Sequence, residues 1–351
     1  MKPAKKKTSK GKQIFRIVLI VSTFISLWFV PWILVKAWLL PLPNTVQEQV
    51  EQTLSYGFDG VIVYVDQAGK PPAFYAAGYH NKAQKIPANP KALFKIASIS
   101  KLYDAVAITK LVNSKRLSLD KTLADYFPEL VGRIENAKTI TLRMLVQHRS
   151  GIPNFTDTPN FWNHPTTTHE DALNLILDVP ANFKPNADYQ YCNTNYLLLT
   201  MLIEKVTGKP KFKFIKEAVL EPLALKNTYG SINDINMNDL MSGYYVGVEE
   251  DIKTTDYGSM IATAEDVGIF LRALNDGTLL NKNEMDMYAS IYEFNHGGLI
   301  PGYQSMAEYH KDIDAVVVQF MNTTDFVGYQ WNLLEITHTR VVKILRKAKK
   351  A

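Results

Sequence analysis

Ser98 and Lys101 stand three residues apart in the run LFKIASISKLYDAVAITKLV, a spacing that sets both on one face of a helix. A serine hydroxyl is a poor nucleophile until a nearby base takes its proton. A lysine can be that base only when neutral, and burial beside the positive end of a helix disfavours its ammonium form. One turn therefore offers a nucleophile, a candidate base and part of the pKa tuning. Alone, the tetrapeptide reads as an N-cap serine followed by a surface lysine. Two further patterns follow in the order that a serine acyl transfer needs: Tyr191-Cys192-Asn193 and His296-Gly297-Gly298. Tyrosine titrates at about 10 in water, so a reactive phenolate needs a neighbouring cation, which a protonated Lys101 would supply.

With these residues in order, the chain resembles the serine β-lactamase and penicillin-binding superfamily. It is most similar to the class C-type branch of D,D-carboxypeptidases, D-aminopeptidases and esterases. The resemblance covers roughly residues 57–345 and runs through FKIASISK, RLSLDKTLADYFPEL, ITLRMLVQHRSGIP, YQYCNTNYLLLTMLIEKVTG, ATAEDVGIFLRAL and NHGGLIPGYQS. S-x-x-K followed by polar-Asn and basic-x-Gly elements is the superfamily pattern. The resemblance implies Ser98 as the acylated nucleophile, with Lys101 accepting its proton or holding the proton network. Tyr191 would pass that proton to the leaving group, and Asn193 would bind the substrate amide. His296 and Gly298 would line the site from an edge strand. The backbone N–H groups of Ser98 and Leu299 would form an oxyanion hole. The implied activity is hydrolysis of an amide or ester through an acyl-Ser98 intermediate, the substrate being a small molecule or a D-amino-acid peptide of the cell wall. A non-catalytic, acyl-accepting sensor and a class C-type β-lactamase are the alternatives.

Departures from the family pattern refine this. Cys192 replaces the usual serine between the tyrosine and asparagine and reads as a small buried residue. His296 in place of lysine removes a fixed positive charge, which favours a peptidase or esterase over a β-lactamase. Glu170-Asp171-Ala172-Leu173-Asn174 matches the E-x-x-L-N string of class A enzymes, but it precedes the tyrosine motif and reads as an ordinary helix start. Gln147-His148-Arg149-Ser150-Gly151 reads as a structural turn, since no serine carries a G-x-S-x-G setting. Seven histidines without an H-x-x-x-H pair, and one cysteine, offer no metal site by spacing. Without a glycine-rich phosphate loop, no cofactor is expected.

The positioning elements follow from periodicity. Strands are expected at 57–65, 73–79, 303–309 and 315–321. Helices are expected from Ser98 onward, at 197–207, 264–274 and 331–347, with loops at 151–168 and 228–258 that would set specificity. Strands at both ends with helices between imply an α/β (α+β) fold: one antiparallel sheet flanked by helices, with a mainly helical insertion at about 98–255.

The N-terminus carries an address. Residues 1–36 hold eight basic groups and no acidic one; removing these from the net +5 leaves −3 for the remainder. The folded body therefore gives no support for nucleic-acid binding. Residues 1–16 read as a basic cytoplasmic tail, 17–36 as a transmembrane anchor or signal segment, 37–50 as a linker and 51–351 as the hydrolase domain. Ile17 to Val35 is nineteen residues without a charge, long enough to span a bilayer. By the positive-inside rule the rest would be exported, single-pass at the cell membrane, or secreted if cleaved near Val35-Lys36-Ala37. A second basic cluster (Arg340, Lys343, Arg346, Lys347, Lys349, Lys350) reads as a solvated helix end.

Overall fold

The computed structural model describes residues 10–350, so much of the basic tail expected at 1–16 lies outside the described residues. The chain divides after Pro41 into two compact units. The first contains helix α1 (Lys10–Trp28) and helix α2 (Trp32–Leu39). The single span expected over Ile17–Val35 is thus interrupted, and Pro31 sits at the break. Proline has no N–H to donate and its ring clashes with the carbonyl four residues back. Helix α1, with no buried residue, is long and apolar enough to cross a bilayer. A signal sequence has the same character.

The second unit begins earlier than the linker expectation. Helix α3 (Val46–Thr53) starts inside that stretch, fixed by a capping box between Thr45 and Glu48. Six strands follow: β1 (Gly60–Gln67), β2 (Ala73–Asn81), β3 (Ile86–Pro87), β4 (His296–Ile300), β5 (Tyr303–His310) and β6 (Ala315–Met321). They form one sheet in the order β3-β2-β1-β6-β5-β4, antiparallel throughout. Its centre joins opposite ends of the chain, Val61 facing Met321 and Gln67 facing Ala315. Strand β6 is buried along its whole length and β1 along nearly all of it, as their continuous apolar runs require when helices cover both faces.

On one face lie helix α4 (Ser100–Asn113), helix α5 (Asn193–Thr207), helix α6 (Ala264–Asp276) and helix α7 (Lys282–Ile291). Helix α6 packs directly on β1 and β6. At Gly268 a Cβ would sit 2.2 Å from the Tyr64 ring, so only glycine permits that approach. Helix α4, buried from Lys101 to Thr109, forms the middle of the core, with Tyr103 stacked on Phe270 at 3.7 Å between ring centroids. The closing helix α8 (Gln330–Lys350) and α3 cover the other face, tied by Gln319 Nε2 donating to Thr337 Oγ1 at 2.9 Å. Within the terminal basic cluster, Arg340 is buried rather than solvated and donates to Gln49 and Gln52.

The stretch between α4 and α5 is less helical than expected. It holds short helices at Leu123–Tyr126, Leu142–Val146 and His169–Asn174, joined by turns. Thr122, Thr141 and Thr168 cap them, each accepting from the N–H three residues on.

Candidate active site

Two short strands position Ser98. Phe94–Lys95 pairs antiparallel with Ile261–Ala262, and Ile96 N–H continues the contact to Met260 O at 3.0 Å. The chain then bends sharply at Ala97, whose φ of +49° lies in the left-handed region that a Cβ disfavours. The bend is held on both sides. Ala97 N–H donates to Ser259 Oγ at 2.8 Å, and Ser305 Oγ donates to Ile96 O at 3.0 Å. Ser98 falls in the 3₁₀ turn Ala97–Ile99, two residues ahead of α4, so it precedes the helix instead of opening it. Lys101 lies in the first turn of α4, 8% exposed, with its Nζ 3.0 Å from Ser98 Oγ.

The opposite wall comes from the start of α5. Tyr191 OH lies 2.7 Å from Ser98 Oγ, a contact in which either hydroxyl can donate. Asn193 opens the helix itself, and the cap position belongs to Cys192. Asn193 Nδ2 donates to Thr156 Oγ1 at 3.0 Å and its backbone N–H to Asn154 Oδ1 at 2.9 Å. That orients its carbonyl oxygen toward Lys101 Nζ at 2.9 Å. Lys101 Nζ also sits 5.0 Å above the Tyr191 ring and 5.3 Å from that of Tyr196, where the ring faces would attract its charged form. A protonated lysine has only donors and an amide oxygen only accepts, so Lys101 donates to Asn193 and to Ser98 Oγ. With Tyr191 as the phenolate, the serine's own proton is directed at its oxygen.

Behind Tyr191 stands His148, which the sequence placed in a structural turn. Its φ is +56°; it is buried, and its Nδ1 accepts from the Cys192 N–H at 3.0 Å. Its ring stacks on Tyr191 at 4.5 Å and on Tyr196 at 5.1 Å. Burial, reinforced by the charges at Lys101 and His296, pushes its pKa down to about 3. The imidazole is therefore neutral at neutral pH, its proton on Nε2.

His296 lies on β4, with Nε2 2.9 Å from Tyr292 OH and Nδ1 against Gly297 O. Its ring is 6.2 Å from that of Tyr191. Burial, aided by Lys101, pushes its pKa down to about 4. At Gly298 a Cβ would lie 2.4 Å from Ser305 Oγ, 2.5 Å from Ile96 O and 2.9 Å from Ala97 Cβ. Only glycine lets this edge strand rest on the turn that carries Ser98. Leu299 follows on the same strand, half-buried. Among the described residues, the outer side of β4 has no strand neighbour.

The seven residues singled out in the sequence thus converge on one place. Asn154, Thr156, His148 and Tyr292 were missed. The only sequence signal for them was polar and aromatic side chains in loops around the motifs. Cys192 is buried, its Sγ 3.3 Å from Ile152 O and its thiol pKa pushed up by burial, which leaves it unreactive. Glu170 sits exposed on the short helix capped by Thr168. No cluster of metal donors occurs at this site among the described residues.

An antiparallel sheet under a helical layer, with a serine turn pressed against its edge strand, defines the β-lactamase and transpeptidase-like class of fold. Residues 42–291 match the Beta-lactamase family, and the chain belongs to it. Protein flp of Staphylococcus aureus (strain MW2) is 25% identical over 272 residues, covering 74% of this chain and 53% of that protein. The chain therefore spans about half the length of such curated relatives. Among solved structures, D-amino acid amidase from Ochrobactrum anthropi SV3, complexed with L-phenylalanine amide, superposes with a TM-score of 0.77 at 22% identity, over 87% of this chain and 99% of the other. A penicillin-binding protein from Bacillus halodurans gives 0.72 at 21%, over 86% and 100%. At these identities the superpositions carry the fold.

Proposed function

We propose that this chain is an exported serine hydrolase, tethered by α1, that acts on D-amino acid amides or short D-amino-acid peptides through acyl-Ser98. The observation that carries this reading is Ser98 Oγ held at once by Tyr191 OH (2.7 Å) and Lys101 Nζ (3.0 Å). Tyr191, as the phenolate that the positive charge of Lys101 favours, takes the serine proton as Oγ bonds to the substrate carbonyl carbon. The N–H groups of Ser98 and Leu299 receive the developing oxyanion. Tyr191 then returns the proton to the leaving nitrogen as the C–N bond breaks, and water cleaves the ester by the reverse relay. Lys101 stays charged and holds Ser98, Asn193 and the Tyr191 ring in register.

His296 guides the choice of substrate. A neutral imidazole offers no fixed positive charge for a substrate carboxylate, so amides and esters lacking one are favoured over β-lactams and D-Ala-D-Ala termini. The amidase likeness agrees with that choice.

The test is exposure of the full-length chain in detergent to a fluorophosphonate, followed by mass spectrometry, with D-phenylalanine amide, a D-Ala-D-Ala peptide and nitrocefin assayed in parallel. Expected are one adduct on Ser98, its loss in Ser98→Ala, and turnover greatest for the amide. An adduct elsewhere, or none, removes the acyl-serine reading; fastest turnover of nitrocefin replaces it with a β-lactamase.

A further inference from the structure

A second cluster lies on the far face of the sheet. Glu308 and His310 stand two apart on β5, which sends both side chains to one face. Ser305, of the other parity, meets the serine turn. The third member, His338, comes from α8, which packs on β5. Glu308 Oε2 lies 3.4 Å from His310 Nε2 and 3.4 Å from His338 Nε2, and the three donor atoms lie within 4.8 Å of one another.

These separations are long for hydrogen bonds, which run about 2.7–3.2 Å, and neither Nε2 has a hydrogen-bond partner among the described residues. His338 is 1% exposed, so its orphaned nitrogen is aimed into the cluster and shut off from water. A tetrahedral ion with bonds of about 2.0–2.1 Å has ligand–ligand edges of about 3.3–3.4 Å. Both edges from the carboxylate oxygen match. Glu308 remains partly exposed, leaving a way in for the ion and room for a solvent molecule as fourth ligand. The nearby cation Arg346 is engaged by both Asp312 oxygens, at 2.7 and 3.1 Å, which offsets its charge.

We propose that Glu308, His310 and His338 form a divalent transition-metal site of the zinc type that fastens α8 to β5. Two imidazoles and one carboxylate suit zinc, cobalt or nickel; magnesium and calcium prefer all-oxygen shells. The site stands apart from the acyl chemistry. Sequence spacing gave no hint of it, because its ligands come from a strand and a helix that meet only in the fold.

The full-length chain in detergent, purified without a histidine tag and stripped with a chelator, is titrated with Zn²⁺ by calorimetry and with Co²⁺ by visible absorption. Expected are one ion per chain, the absorption of a tetrahedral cobalt centre, a higher melting temperature with zinc, and no response to Mg²⁺ at equal concentration. Glu308→Gln and His338→Gln should each weaken binding at least tenfold and abolish the thermal shift. His310→Gln, nearer the surface, gives the same readout should His338→Gln fail to fold, as judged by circular dichroism. No saturable binding by the wild type, or unchanged affinity in the folded variants, overturns the proposal.

Discussion

The phenol of Tyr191 touches Ser98, and the imidazole of His148 touches the back of that phenol. Their substitutions should therefore differ in kind. Tyr191→Phe deletes the oxygen in reach of the serine proton while keeping the packed ring, so acylation should fall by roughly 10²–10⁴, the usual weight of a proton-transfer group. Stopped-flow labelling would measure it against an unchanged melting temperature. His148→Phe keeps the stack but leaves the Cys192 N–H without an acceptor, so the ring of Tyr191 loses its anchor. A smaller loss, about tenfold in kcat with KM little moved, is expected from this positioning residue. Ser98, Lys101, Tyr191, Asn193 and His296 were legible in the sequence because each sits in a short motif. His148, Asn154 and Thr156 were not, because they act through contacts across 37–44 residues of chain, and no local pattern encodes such contacts.

At the scale of elements, the site depends on how closely β4 lies on the turn before α4. Gly298→Ala would drive a methyl into Ser305 Oγ, Ile96 O and Ala97 Cβ together. Expected is a loss of at least tenfold in kcat/KM, with a fall of a few degrees in melting temperature for a core clash. Adding Ser305→Ala should restore little, since the backbone oxygen of Ile96 remains in the way; full restoration would show that the contact with Ser305 alone matters. Strands β1, β5 and β6 and helices α6 and α8 could be read from alternation and helical period, because each buries a regular face. The 114–192 stretch could not. Its short helices are set by threonine caps and, for Leu142–Val146 and His169–Asn174, by packing against α5, so helical period is lost within a turn or two.

For the whole molecule, acid is the informative perturbant. His148 and His296 are held neutral by burial, with pKa values of about 3 and about 4 against an ordinary 6.5. Below about pH 6.5 the unfolded chain takes up protons that the folded chain refuses, so stability rises with pH through this range and falls on acidification. Each histidine costs about 1.4 kcal/mol per pH unit, down to pH about 4 for His296 and about 3 for His148. Urea midpoints should therefore drop between pH 7 and pH 5, less steeply in His148→Phe; a flat profile would mean that both rings take up protons in the folded state. That one sheet joins the two ends of the chain was visible in the sequence, from strands at either end; that β1 pairs with β6 at its centre was not. That joining governs birth as well as rest. Strand β1 can pair with β2 at once, but its other neighbour, β6, is available only when residues near Met321 emerge, a delay on the order of 10–50 s at ordinary rates of synthesis. Until then the nascent polypeptide exposes an unclosed hydrophobic ribbon, so a ribosome stalled before the last strand would release a chain fit only for proteolysis.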